Sequence, residues 1–220
     1  MHTAKLIAAT QPRISDVKTA GDFIAYCARV SNPGNQHNNE TANKLLEYMI
    51  ENAHWSPFEM VSLVFEINTT RDIGRQILRH RSFSFQEFSG RYAVMPDVFA
   101  FRELRMQDKK NRQNSISHSD PELRRDWHNT QQNVYDYARV AYEYALSNGI
   151  AKEQARALLP EGLTTSTMYM SGTLRSFIHY CMVRCDNSTQ KEHRSVALHI
   201  IRELQVEFPM LKAYLDKFIQ

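Results

Sequence analysis

The amino-acid sequence predicts an α+β fold: a single domain over residues 1–220, with a small mixed or antiparallel sheet flanked by long helices. Helical periodicities of apolar residues outnumber β-branched runs, and the two do not alternate as a doubly wound sheet requires. The 220 residues are 42% hydrophobic and 23% charged, with only 7 Gly and 7 Pro. That composition is typical of a packed globular core and excludes disorder or a fibrous repeat.

The first predicted helix begins at Thr19, which forms a capping-box pattern with Asp22, and a polar turn at 31–35 ends it. A second helix spans residues 41–52, because leucine, methionine and isoleucine recur there at helical spacing. Residues 61–67 alternate and are rich in β-branched and aromatic side chains, which predicts a strand.

Thr70 is placed to cap a third helix, whose polar residues would share one face at spacings of three and four. The residues of that face are Gln76, Arg79 and His80. The following segment, 82–92, mixes aromatic and polar residues in alternation, and an extended chain would align three polar side chains. These are Glu87, Ser89 and Arg91.

Residues 107–120 hold Ile116 as their only aliphatic side chain, so we expect a long polar loop of the kind that often forms a lid. Asp120 then caps a helix that continues to the stop at 148–149. A short helix over 151–159 and a strand over 164–170 follow. We predict two more helices, one capped by Ser171 and one over 189–208 that opens with a Thr189–Glu192 capping box.

The charge and cysteine content limit the functional classes. A net charge of +3 is too small to indicate a nucleic-acid binder by itself. Three cysteines and an N-terminus without a signal-peptide pattern favour a reducing cytoplasmic location, and no apolar run approaches the length of a membrane span. Cys181 and Cys185 lie near His179, but three ligands are fewer than a structural zinc site needs, so we predict no metal.

Arginines are dense between residues 71 and 91, where they are interleaved with the aromatic side chains of Phe83, Phe85 and Phe88. A guanidinium binds a phosphate through two parallel hydrogen bonds, and the Ser89 hydroxyl and Gly90 N–H are further donors. A solvated basic helix face is the competing interpretation. The aromatic neighbours favour an organised anion site.

The block Arg79, His80 and Arg81, followed after seven residues by Ser89, resembles the signature of the flavin-dependent thymidylate synthases. Further segments at 28–31, 54–59, 155–160 and 174–184 are similar to family segments and occur in the same order. The resemblance extends from about residue 28 to residue 192, which is most of the chain.

The resemblance implies transfer of the methylene of 5,10-methylenetetrahydrofolate to dUMP, with FAD as cofactor and NADPH as reductant. Reduced flavin would supply hydride, so that no enzyme nucleophile is needed, and Arg184 would be the catalytic residue. The implied flavin contacts are Ser31, Ser56, Arg79, His80, Arg81, Glu87, Thr173, Leu174, Arg175 and His179. The implied dUMP contacts are Gln76, Ile77, Leu78, Arg79, Glu87, Phe88, Ser89, Gly90, Arg91, Arg156 and Arg184.

Two positions depart from the family pattern: Thr173 stands where asparagine is frequent, and Ser188 where some members have histidine. The resemblance also implies a homotetramer whose flavin sites are shared between subunits, with neither a membrane nor a nucleic acid as partner. Two other hypotheses remain open at this point. One is a nucleic-acid-binding module that uses the arginines and aromatic residues of 71–91. The other is a degenerate family member that binds nucleotide without turnover.

Overall fold

A computed structural model describes residues 1–219 of the chain, which form eight α-helices and six strands over that range. The strands are β1 Thr3–Ala9, β2 Ser62–Thr70, β3 Ser84–Glu87, β4 Arg105–Gln107, β5 Ser115–Ser117 and β6 Thr165–Thr173. The helices are α1 Ala20–Ala28, α2 Ala42–Glu51, α3 Arg71–Ile77, α4 Pro121–Ser147, α5 Lys152–Ala155, α6 Leu174–Arg184, α7 Lys191–Glu207 and α8 Lys212–Leu215.

Four strands form one antiparallel sheet in the order β1-β2-β6-β3, which confirms the predicted α+β class. The β2–β6 ladder runs from the pair Ser62 and Thr173 to the pair Thr70 and Thr165 without a break. On the other side of β6, the shorter β3 pairs from Ser84 to Glu87. Strand β6 therefore lies between two antiparallel partners and connects the edge strand β3 to the rest of the fold.

The main core lies between this sheet and the helices α1, α2, α6 and α7. Strand β2 contributes every second side chain, as its period of two requires, and Leu63, Phe65 and Ile67 are completely buried. The ring of Phe65 packs against Phe177 of α6 with centroids 4.8 Å apart. A smaller cluster, centred on Tyr142 of α4, packs beneath the segment that follows β3.

Several predicted elements are confirmed with small changes at their ends. Thr19 and Asp22 form the predicted capping box at the start of α1. Asp120 caps α4 by accepting from the N–H groups of Glu122 and Leu123. Among residues 1–219, no helix has both the length and the apolar character needed to cross a membrane.

The third helix and the strand after it are shorter than predicted. Helix α3 ends at Ile77, so Arg79 and His80 lie in a tight turn and not on a helical face with Gln76. The turn is needed because the chain must reverse before it pairs with β6 from Ser84. At the other end, β3 stops at Glu87.

Ser89 and Arg91 therefore do not continue a strand face beside Glu87, contrary to the prediction. The Ser89 carbonyl accepts from the N–H groups of Tyr92 and Ala93, which makes a turn at this point. The prediction was wrong because alternation of polar and aromatic residues does not distinguish a strand from a turn that happens to continue the pattern.

Three further local predictions were wrong. The expected polar loop contains the β4–β5 hairpin, whose connection is organised by the Asp108 carboxylate accepting from the N–H groups of Lys110 and Asn111. Helix α6 is capped by Thr173 and not by Ser171, because β6 continues to Thr173. Helix α7 has no capping box, since the Glu192 carboxylate binds arginine instead.

The β3 edge depends on the absence of a side chain at Gly172 of β6. A Cβ there would lie 2.4 Å from Cδ1 and 2.8 Å from Cε1 of Phe83, whose ring packs on Phe177. We expect Gly172→Ala to lower the free energy of unfolding by about 1–3 kcal/mol through overpacking. Gly34→Ala, with no atom within 4 Å of the new Cβ, is the matched control and should change it by less than about 0.5 kcal/mol. Urea unfolding measures both; equal midpoints for the two variants would contradict this packing.

Candidate functional site

The turn after α3 brings His80 against Arg184 at the end of α6. The Arg184 Nε atom donates to His80 Nε2 over 2.8 Å. A ring nitrogen that accepts from a guanidinium carries no proton, so His80 is neutral and its proton is on Nδ1. Neither terminal nitrogen of Arg184 donates to an atom of residues 1–219, so the outer end of the guanidinium is available to a ligand.

The surroundings of His80 keep it neutral. Burial lowers its pKa to about 4, and the positive charges of Arg184, His179 and Arg79 act in the same direction. Its ring also meets the edge of Tyr180, with centroids 4.9 Å apart and planes at 72°. His80 is therefore an acceptor that orients Arg184 at neutral pH.

Behind His80, Gln76 belongs to a chain of hydrogen-bonded side chains that are buried or half-buried. Its Oε1 lies 3.2 Å from Nδ1 of His193, and its Nε2 donates to Gln190 Oε1 over 2.7 Å. The other ring nitrogen of His193 lies 2.9 Å from the Tyr180 hydroxyl. The Gln190 Nε2 atom donates to the Glu192 carboxylate over 3.0 Å. The predicted site residues Gln76 and His80 are thus connected through a network that includes residues not predicted from the sequence.

The Glu192 carboxylate is buried and held by two arginines. Arg105 donates to it over 2.5 Å, and Nη1 of Arg102 lies 3.6 Å away. Burial raises the pKa of Glu192, but the Arg105 hydrogen bond and the charges of both arginines outweigh it, and the pKa is about 2. Glu192 is therefore ionised throughout the physiological range.

Glu87, at the end of β3, lies in a second polar corner. Its Oε1 accepts from the Ser166 hydroxyl over 2.9 Å and lies 3.7 Å from Nη1 of Arg71. Arg71 and Ser166 were not predicted as site residues; Arg71 was visible in sequence only as one more member of the arginine cluster.

The turn after β3 brings Gly90 next to Arg156. A Cβ on Gly90 would lie 3.4 Å from Cδ of Arg156 and 2.6 Å from Sδ of Met95, so only glycine fits this approach. Arg156 also lines a cavity of about 230 Å³ with Arg71 and Arg75. The structure therefore brings the predicted residues Gly90 and Arg156 together, although 65 residues of sequence separate them.

Arginines of the predicted site differ in whether they have a carboxylate partner. Arg75 and Arg175 form ion pairs with Glu161 and Glu59. Five others have no carboxylate within 4 Å among the described residues; these are Arg79, Arg81, Arg91, Arg156 and Arg184. Guanidinium groups without internal partners are available to an external anion.

Arg175 and His179 line a cavity of about 370 Å³ beside α6, together with Trp55 and Tyr214. Ser82 lines the same cavity and directly follows Arg81 in the chain, and Ser56 directly follows Trp55. The cavity joins aromatic walls to cationic and hydrogen-bonding groups. The volume lies within the usual range for small-molecule sites, about 300–1,000 Å³.

Other predicted contacts lie elsewhere or face inward. Ser31 lines a separate groove of about 460 Å³ with Arg29 and Lys44. Leu174 and Ile77 are fully buried, so their side chains pack in the core and position their neighbours. The remaining predicted residues are placed as follows: Thr173 accepts from the Ser176 N–H, Leu78 is 39% exposed, and Phe88 packs on the smaller core cluster.

His193 and Tyr180 are residues that the sequence analysis did not place in the site. Both are almost completely buried, at 0% and 1% exposure. A signal was present, because His193 precedes Val196, Ala197 and Ile200 by three, four and seven residues and so occupies the apolar face of α7. Within the range that the structure describes, no cluster of histidine, cysteine or acidic side chains has the arrangement of a metal site.

Residues 13–210 match the family model described as "Thymidylate synthase complementing protein". The chain is 46% identical over 215 residues to a "Probable flavin-dependent thymidylate synthase" of Paramecium bursaria Chlorella virus 1, covering 97% of this chain and 99% of that protein. It is also 46% identical to a "Flavin-dependent thymidylate synthase" of Synechocystis sp., over 96% and 98% of the two chains. The fold is similar to a UMP/dUMP methylase, PolB from Streptomyces cacaoi, with a TM-score of 0.81, 24% identity and coverage of 98% and 95%.

The buried His193 makes stability sensitive to acid. Burial lowers its pKa from 6.5 to about 3, and the positive charge of Arg184 adds to this effect. The unfolded chain binds a proton near pH 6.5 and the folded chain does not, so stability falls as the pH drops below 6.5. Between pH 6.5 and 5 this histidine alone costs about 2 kcal/mol.

We therefore expect His193→Asn to lose about 2 kcal/mol less than the wild type when urea unfolding at pH 7 is compared with pH 5. His2 and His80, whose pKa values burial also lowers to about 4, contribute to both proteins and leave the difference intact. Equal acid losses in the two proteins would mean that His193 takes up a proton in the folded state.

Proposed function

The chain belongs to the flavin-dependent thymidylate synthase family, and on that premise we propose that it converts dUMP to dTMP with 5,10-methylenetetrahydrofolate, FAD and NADPH. Membership confirms the resemblance and the predicted enzyme class, a methyltransferase. The observation that carries the proposal is the pairing of His80 with Arg184, which joins the signature block to the predicted catalytic cation. We propose further that residues 1–220 act as one domain in the cytoplasm.

For dUMP we propose a site at the two turns that flank β3. Gln76, Arg79 and Arg184 lie near one turn, and Ser89, Gly90, Arg91 and Arg156 lie near the other. Unpaired arginines and the Ser89 hydroxyl suit the nucleotide phosphate, which accepts charge-assisted hydrogen bonds. The Glu87 carboxylate, between the two groups, is an acceptor suited to a sugar hydroxyl or to an N–H group.

The residues present also fit a flavin. Trp55 and Tyr214 provide aromatic walls suited to a flat ring system, while Arg175, His179 and Arg81 provide donors for its phosphates and ring oxygens. We propose that these residues hold FAD, with Ser31, Ser56, His80, Glu87 and Thr173 as further contacts. When bound and reduced, the flavin supplies hydride to the pyrimidine. NADPH is the proposed source of those electrons.

In the proposed mechanism, Arg184 stabilises the anion that uracil forms when its N3 proton leaves. A cation that is already oriented stabilises developing charge without reorganising during the reaction. The neutral His80 provides that orientation by accepting from Arg184 Nε, so that the terminal nitrogens of the guanidinium face the base. The resulting anion is more nucleophilic at C5, the carbon to which the methylene is transferred.

No side chain is needed as a nucleophile in this scheme. Cys181 and Cys185 are buried, and burial raises the pKa of the Cys181 thiol well above its ordinary value. Cys27 lies half-buried on α1, where burial also raises its thiol pKa. Ser89 lies in a turn, and no histidine is hydrogen-bonded to it within residues 1–219. We assign it to substrate binding.

We also propose the homotetramer implied by the family. Helix α4 supports this, because Tyr137, Val140 and Tyr144 share one face and are 81%, 66% and 67% exposed. The flavin residues give a second argument: Ser31 and Arg175 line different cavities of one chain. A neighbouring subunit would bring a second copy of one cavity to the other.

The proposed reaction is tested by incubating the purified protein with dUMP, methylenetetrahydrofolate and NADPH, with and without added FAD. We expect dTMP, and a yellow preparation that releases FAD. A colourless protein that instead binds DNA or RNA with steep salt dependence would support the nucleic-acid hypothesis. Flavin and dUMP binding without dTMP would identify a degenerate member of the family.

Arg184→Ala removes the proposed electrostatic catalyst. We expect dTMP formation to fall by at least about 10²–10³-fold, the scale for loss of an oriented donor in an active site. FAD absorbance should be retained, because other residues are proposed to hold the flavin. Arg202→Ala, at an exposed position on α7, is the matched control. An Arg184→Ala enzyme with full turnover would remove this role.

Arg91→Ala tests the nucleotide site at the other turn. Loss of a charge-assisted hydrogen bond should weaken dUMP binding by about 1.5–3 kcal/mol in calorimetry. Arg112→Ala, on the exposed hairpin, replaces an arginine outside the motif and should leave the affinity close to that of the wild type. If both variants bind dUMP equally well, Arg91 does not contact the nucleotide.

A further inference from the structure

The hydrogen-bonded chain from Glu192 to Tyr180 contains two half-buried glutamines and a buried histidine. Each glutamine has two possible amide orientations, and the histidine has two possible tautomers. The Glu192 end of the chain determines all of these orientations. Glu192 is ionised and can only accept, so Gln190 must turn its NH₂ group towards it. The Gln190 oxygen then faces Gln76, which must donate in turn.

The fixed order of donors and acceptors continues beyond Gln76. Because its NH₂ group faces Gln190, its Oε1 faces His193 and can only accept there. His193 must therefore carry its proton on Nδ1, and Nε2 is left as the acceptor for the Tyr180 hydroxyl. Each hydrogen bond in the chain therefore runs in a single direction, and the Glu192 carboxylate determines that direction.

We propose that Glu192 and His193 are positioning residues that fix the Gln76 carboxamide with its oxygen turned inward. The amide nitrogen then has one N–H used by Gln190 and a second N–H left for a ligand. Gln76 would thus present a hydrogen-bond donor to an acceptor oxygen of the nucleotide, and it would disfavour a donor group such as an amine at the same place. This inference rests on the proposed function, because it takes dUMP as the ligand of Gln76.

Several observations support positioning over simple core packing. His193 is completely buried, and leaving a buried polar group unpaired is costly, so the alternative amide orientations are disfavoured. The Tyr180 ring at the end of the chain also contacts His80, with centroids 4.9 Å apart. The chain therefore holds both Gln76 and the surroundings of the His80–Arg184 pair.

The test compares substitutions at His193 that keep different parts of the chain. His193→Asn retains an N–H donor near the Nδ1 position, whereas His193→Leu retains none. We expect His193→Leu to raise the KM for dUMP about 5–10-fold, the effect of losing one oriented hydrogen bond, with a smaller change in kcat. His193→Asn should keep KM within about threefold of the wild type. His199→Asn on the same helix is the matched control, since His199 bonds to its own helix at the Ser195 carbonyl.

If His193→Leu does not fold, a second variant and a spectroscopic measurement test the positioning role. Gln190→Leu breaks the chain at a half-buried position and should raise KM to the same extent. In ¹⁵N NMR of the folded wild type, His193 should show a protonated Nδ1 and an unprotonated Nε2. A protonated Nε2, or an unchanged KM in a folded Gln190→Leu or His193→Leu protein, would overturn the proposal.

Different results would overturn the proposed function and the positioning role of His193. A folded wild type that makes no dTMP overturns the proposed function, whatever the variants do. An active wild type whose KM is insensitive to His193→Leu overturns the positioning role alone. If His193→Asn and His193→Leu raise KM equally, and the increases follow their losses of thermal stability, His193 acts only through packing. That result would also overturn the positioning role.

Discussion

The pairing of β3 with β6 is the interaction on which the site depends. It joins only four residues of β3 to the sheet, yet it determines where the chain enters and leaves. The turn with Arg79 and His80 precedes this short strand, and the turn with Ser89 and Gly90 follows it. Because a strand rises about 3.3 Å per residue, the two ends of β3 lie roughly 10 Å apart. Gly172 makes the pairing possible, since the Phe83 ring occupies the space of a side chain at that position.

Around the first turn, the fold keeps histidines neutral by combining burial with positive charge. His80 and His193 both have lowered pKa values, and Arg184 contributes to each. A neutral imidazole can accept from a guanidinium, which a protonated one cannot. This arrangement lowers the stability of the fold in acid. It also orients the Arg184 guanidinium through a neutral imidazole, so that no carboxylate neutralises the charge of the guanidinium.

The fold class and most helices were predictable because apolar periodicity and capping residues are local signals. Thr19 and Asp120 act as the caps that their sequence neighbourhoods indicate. The wrong predictions concern positions where tertiary pairing decides. Thr189 and Glu192 have the spacing of a capping box, but a buried carboxylate gains more from Arg105 than from a backbone N–H, and the arginine is far away in sequence.

The site shows the same division between local and long-range information. The signature block could be recognised in the sequence, whereas the contact between Gly90 and Arg156 required the fold. A lone histidine on a helix, such as His193, usually has a structural role. Its function in the network could not be predicted, since its partners Gln76 and Tyr180 come from two other helices.

The arginines show how one residue type serves both stability and binding. Arg102 and Arg105 meet the buried Glu192, and their charges are balanced inside the protein. Among residues 1–219, Arg91 and Arg184 have no carboxylate partner, and balance for them must come from solvent or a ligand. The paired group anchors the polar chain that ends beside His80, and the unpaired group supplies the charge that an anionic nucleotide requires. The unpaired cations need polar groups beside them for binding, and the internal ion pairs hold those polar groups in place.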